Sequence, residues 1–171
     1  MFDQVFGLPV HILVVHAAVV FIPLACLAAV VFAVAPRWRW ALRWPTLALG
    51  VVAAGAGGVA ALSGNAFFER LNGPPYVLEH KDRGTLLAYL VLVLLVVIVV
   101  AVFTLGGPSP IPGSRQHLGA GRPVQLVVGV VTVVVALVVV VQAVRTGDAG
   151  ARAVWGALPQ SSDVLDASNL R

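Results

Sequence analysis

Between Leu86 and Leu105 the chain reads LLAYLVLVLLVVIVVAVFTL, a run of twenty residues without a charge. At about 1.5 Å per residue, a helix of this length covers the roughly 30 Å hydrocarbon core of a bilayer. The run is rich in Val and Ile, which in water would favour buried strands. Length decides against strands. Lipid offers no partner to backbone N–H and C=O groups, so a single apolar run of this size crosses a membrane as a helix. Three more apolar runs accompany it, and spanning helices are expected over about 8–35, 45–62, 79–105 and 123–145. The expected fold is all-α, an integral membrane four-helix bundle over residues 1–158 with a polar tail over 159–171.

Composition agrees. Hydrophobic residues make up 60% of the chain and charged ones 11%, against about 25% charged in soluble domains. The formal net charge is +4, and the basic residues, nearly all Arg, are scattered between the apolar runs. Nucleic-acid binding needs a basic patch or stripe, so no nucleic-acid partner is expected and the arginines read as membrane-surface anchors. The lone Cys26 allows no internal disulfide and reads as a small buried hydrophobe. MFDQVFGLP lacks a basic region and a cleavage site before the first run. That run is therefore expected to stay as an anchor.

The loop 36–44 carries Arg37, Arg39 and Arg43, and the loop 106–122 carries Arg115 and Arg122, neither with an acid. If the first helix dominates, these loops are cytoplasmic and both termini lie outside a bacterial plasma membrane. Arg70, Lys81, Arg83, Arg145 and Arg152 then lie outside, giving five nearby basic residues on each face, and all seven acids lie on the outer side. Trp38, Trp40 and Trp44 are expected to anchor the inner interface, and Phe67, Phe68, Tyr76 and Trp155 the outer one. In the second helix Gly50, Ala54 and Gly58, and beside them Ala53, Gly57 and Ala61, recur every four residues. That spacing lets a neighbouring helix approach closely.

In an up-and-down bundle the start of helix one, the end of two, the start of three and the end of four share a membrane face. That face collects His11, His16, Ser63, Asn65, Glu69, Glu79, His80, Asp82, Gln142, Arg145 and Asp148, whereas His117 and the loop arginines lie opposite. His11 follows Pro9 in the first turn of its helix. His16 sits about 7.5 Å deeper and about 140° around, which excludes a simple i, i+4 chelate. An ionisable residue at that depth is expected to face the bundle interior. His80 lies roughly 9 Å outside the third apolar run, a level matching His11 better than His16.

Three readings follow. In the leading one the histidines bond to backbone or to polar groups of neighbouring helices. In the second, histidines among His11, His16 and His80 ligate haem b across the bundle. In the third, His11, His80, Glu79 and Asp148 hold a metal. Glu79 and Arg83 also suit a plain i, i+4 pair, and Asp148 the cap of a turn just past helix four. Helices three and four carry little polarity at mid-depth, which disfavours a transporter or channel. No nucleotide-binding, Ser-hydrolase or zinc-protease pattern is present, so no enzyme is expected.

LPVHILVVHAAVVFIPLA resembles the opening signature of a bacterial four-span membrane family of unknown function, DUF2231, with its Leu-Pro-x-His and a second His after four residues. SGNAFFERLNGPPYVLEHKDRGTLL and TGDAGARAVWG resemble its second and closing blocks, and the likeness covers most of residues 1–156. It points to His11, His16, His80 and the segment 147–155, and implies a helical membrane bundle. The chain departs from the pattern at Asn65, where Glu often stands, and at Asp148, where His often stands. Both departures remove potential ligands. The expected function is a non-enzymatic accessory or structural subunit of a membrane protein complex. The alternative is a b-type haem-binding membrane protein in electron transfer.

Overall fold

The computed structural model describes residues 4–5, 8–108 and 119–156. Its four helices are α1, Val10–Val34; α2, Arg39–Arg70; α3, Pro75–Thr104; and α4, Arg122–Trp155. A single 3₁₀ turn, Pro36–Trp38, joins α1 to α2, and Gln4–Val5 makes a two-residue antiparallel pairing with Leu8–Pro9 ahead of α1. Each helix is long and apolar enough to cross a membrane. Each packs beside the next in the chain, α4 closes the ring on α1, and α1 and α3 lie diagonally.

Three helices run past their apolar stretches. α2 continues from Leu62 to Arg70, α3 begins at Pro75 rather than near Glu79, and α4 runs ten residues beyond Arg145. Hydropathy measures the thickness of the lipid. The helix itself continues wherever polar side chains support it, here through the i, i+4 pairs Glu79–Arg83 at 2.5 Å and Asp148–Arg152 at 2.7 Å. Asp148 therefore lies inside α4 and caps no turn, a correction to the expectation from sequence. The tail 159–171, Arg115 and His117 lie outside the described residues.

α2 stops at a left-handed turn. Asn72 and Gly73 have φ of 59° and 64°, and the Gly73 N–H bonds back to the Phe68 carbonyl at 3.1 Å. This closes the last turn in the manner of a Schellman cap. Pro75 then opens α3 at a position where no N–H is needed. Gly73→Ala is expected to cost about 1–2 kcal/mol, the penalty of a side chain at positive φ, read as a lower unfolding temperature in detergent.

The core is Ile22, Ala25, Ala29 and Phe32 of α1, Ala53 and Ala54 of α2, Val91, Leu94 and Ile98 of α3, and Ala136 and Val139 of α4. A Cβ on Gly50 would come within 3.0 Å of Ile98 Cδ1, so the small residues of α2 admit the larger ones of α3. Val and Leu cover the outward faces, as lipid-facing helices require.

At the end opposite the N-terminus, Arg39 of α2 is 7% exposed and bonds to α1, to the segment after α3 and to α4. Its Nε donates to Phe32 O at 2.9 Å and Nη2 to Ala33 O at 2.6 Å. Nη1 donates to Gly106 O at 2.6 Å and to Gln125 Oε1 at 3.3 Å. Phe32 and Ala33 belong to the last turn of α1, whose carbonyls have no partner within the helix and carry the negative end of its dipole. A guanidinium satisfies both needs. Trp38, Trp40 and Trp44 surround this end, all exposed.

Candidate functional site

His11 and His80 meet at the other end of the bundle. His11 projects from the first turn of α1 toward α2, and its Nδ1 lies 3.0 Å from the Ala60 carbonyl and 3.4 Å from Ser63 Oγ. His80, from α3, reaches α4, where its Nδ1 lies 3.0 Å from the Thr146 carbonyl. A carbonyl only accepts, so Nδ1 carries the proton in both rings. In the neutral ring Nε2 is then a lone pair, and no partner for it lies among the described residues. The ring centres are 6.4 Å apart and the planes meet at 72°.

Both rings are seated by one device. Ala60 and Thr146 each precede a glycine by four residues, Gly64 and Gly150. A Cβ on Gly64 would stand 2.9 Å from His11 Cε1, and a Cβ on Gly150 would stand 2.9 Å from His80 Nδ1. A carbonyl inside a helix is shielded by the side chain one turn on. Removing that side chain lets a donor from the next helix reach it. Neither glycine stood out in the sequence. The only signal was its spacing, four residues past a carbonyl that faces a histidine, and that facing is a fact of tertiary structure.

The rings border a cavity of about 330 Å³, within the range of small-molecule sites. Its walls differ by diagonal. α1 and α3 supply the histidines, whereas α2 supplies Gly57, Ala60, Ala61 and Gly64, and α4 supplies Ala143 and Gly147. Phe67 stacks on His11 with centres 6.3 Å apart and planes at 22°, and Lys81 Nζ sits 5.1 Å from the Phe68 ring centre. Phe67 and Phe68 thus line the cavity. Asn65 and Thr85 are the other polar side chains on its wall besides Lys81 and Thr146. Below His80, Gln142 Nε2 and Thr146 Oγ1 donate to the Arg83 carbonyl at 3.0 and 3.2 Å, pinning α4 to α3.

His16 does not join them. Its ring is exposed on the outside of α1, with Nδ1 2.6 Å from the Ile12 carbonyl of its own helix. The expectation that it turns inward is corrected. His11 occupies the inward side of α1, and a residue roughly 140° around the helix leaves it. The carboxylates are held elsewhere too. Glu79 pairs with Arg83 and lies 3.9 Å from Arg152, and Asp148 pairs with Arg152. Among the described residues no three His, Cys, Asp or Glu side chains converge on a point that could hold a metal ion. The His11, His80, Glu79 and Asp148 set is therefore not assembled as a four-ligand site.

No curated protein and no solved structure matches this chain. The family described as "Predicted membrane protein (DUF2231)" matches residues 7–158, nearly the whole of the bundle just described, and the chain belongs to that family.

Proposed function

We propose that His11 and His80 would together hold a b-type haem, and that the protein carries electrons at this end of the bundle. The 6.4 Å separation of the two ring centres carries the reading. Two metal–imidazole bonds of about 2 Å in line, with roughly 1 Å from each nitrogen to its ring centre, set the centres about 6 Å apart. The second-shell chemistry agrees, since a ligating histidine usually donates its other N–H to a carbonyl or carboxylate. A porphyrin is flat and apolar, and the Gly and Ala walls of α2 and α4 suit its edges. Lys81 at the rim can neutralise a carboxylate of the ring. When bound, the group supplies a one-electron couple; the chain fixes the ring orientations and excludes water. We place this end at the outer face of the plasma membrane, from the arginine-only loops opposite.

An electron carrier needs a donor and an acceptor, so the accessory-subunit role fits the same reading. His16, an ionisable group on a lipid-facing surface, supports a protein neighbour along α1.

The test is a reduced-minus-oxidised absorption spectrum of the full chain purified in mild detergent from haem-replete cells. A b-type band is expected, lost in His11→Ala and His80→Ala and kept in His16→Leu and His117→Ala. Folded, haem-replete protein without a band would overturn the assignment. For the accessory role, a gentle-detergent pull-down should return stoichiometric partners, and a stable monomer free of them argues against it.

A further inference from the structure

We propose that the groove between α1 and α4, at the Arg39 end, holds one acidic phospholipid of the adjacent leaflet. Its phosphate sits at Arg122 and an acyl chain runs along Gly129 and Val133. The groove, open along one side, has a volume of about 850 Å³ and runs from Ala33 and Val34 of α1 along the 126–134 stretch of α4. A Cβ on Gly129 would touch nothing within 4 Å, so its floor is open. Leu126, 70% exposed, and Val130 form its outward lip.

Length and charge select the occupant. From Arg122 to Val134 the wall is about 18 Å long, close to one leaflet of a roughly 30 Å core with its headgroup level. Arg37, Arg39, Arg43 and Arg122 gather at the polar end, whereas the described acids Glu69, Glu79, Asp82 and Asp148 lie at the far end of the bundle. Arg39 directs its donors to carbonyls and Gln125, and no carboxylate among the described residues pairs with it. Arg122 is exposed at the mouth of the groove and forms no ion pair among the described residues. An apolar wall of α4 one leaflet long, ending in positive charge that no described carboxylate offsets, matches an anionic lipid. This site is separate from the histidine cavity and does not rest on the haem reading.

Native mass spectrometry of the full chain in mild detergent tests it, by titration with phosphatidylglycerol or with phosphatidylcholine of the same acyl chains. Phosphatidylglycerol is expected to bind more tightly. Arg122→Gln should weaken it about fivefold, the weight of one arginine at an anionic surface, and bring it near the phosphatidylcholine level. Arg37→Gln, on the same face but off the groove, should leave it unchanged. Gly129→Leu, which fills the floor, should reduce both lipids. Circular dichroism checks that each variant keeps its helices. Equal affinity for the two lipids overturns the proposal, as does an Arg37→Gln loss matching that of Arg122→Gln. So does undiminished binding in Gly129→Leu, or a dimer that this variant splits, which would make a second copy the occupant.

Discussion

Arg39→Leu is expected to lower the stability of the bundle by roughly 3–5 kcal/mol, because it leaves several buried acceptors unpaired at about 1–3 kcal/mol each. Those acceptors are Phe32 O, Ala33 O and Gly106 O, whereas Gln125 Oε1 keeps the Gly106 N–H at 3.3 Å. Together with Gln125 they belong to the end of α1, the segment after α3 and the start of α4, so the loss is shared by three elements. Arg39→Lys should recover little. An ammonium is a point charge on a flexible stem and lacks the planar fork that serves separated acceptors at once. Gly107 is part of the same joint, since a Cβ there would come within 2.6 Å of Pro36 O. The measurement is thermal unfolding in detergent, followed by helix signal. An Arg39→Leu protein melting within about 2 °C of the parent would show that water or lipid satisfies those carbonyls instead.

Gly64→Val and Gly150→Val are expected to abolish binding at the histidine cavity while leaving both histidines in the chain. Each would place a branched side chain where the imidazole lies, with the first carbon already 2.9 Å from a ring atom. The histidine must swing away, its Nδ1–H loses the Ala60 or Thr146 carbonyl, and the 6.4 Å spacing of the rings is lost. Each site controls one ring, so a single substitution should suffice, and the absorption band expected of the parent should be absent. Gly55→Val is the matched control, since a Cβ there meets nothing within 4 Å. If Gly64→Val and Gly150→Val both keep the band at parental intensity, the carbonyl bonds do not position the ligands. Position, rather than the bare presence of imidazole, is what the geometry makes decisive.

The helices were legible because lipid leaves the backbone one solution, and twenty uncharged residues reveal it without any knowledge of neighbours. Their ends were less legible. Ser63–Arg70 and Thr146–Trp155 are helical through local pairs and caps, which hydropathy does not register. The meeting of His11 and His80 followed from matching depths on facing ends of an up-and-down bundle. The direction of His16 did not, because the rotation of α1 about its own axis is set by packing around Ala25, Ala29 and Phe32. Phe67 and Phe68 looked like interface anchors because an aromatic pair near a helix end has the same composition whether it faces headgroups or a cavity. Arg39 was one of three arginines in a nine-residue loop, and nothing in its local sequence separates it from Arg37 or Arg43. Its burial comes from Gly106 and Gln125, sixty-seven and eighty-six residues away.

The two histidine anchors have a consequence for how the bundle is assembled. His11 is tied to the helix that follows it, and His80 to the helix that follows it, so no anchor crosses from one pair to the other. Each antiparallel hairpin therefore carries a finished half-site, ring and support together, as soon as its own two helices have inserted. The pairs α1–α2 and α3–α4 can enter the bilayer in synthesis order with their imidazoles already aimed. The whole site comes into being only when the hairpins dock. A group held between the rings, as proposed above, would act as a clasp across that late seam, and its departure would loosen the seam while both halves stay intact.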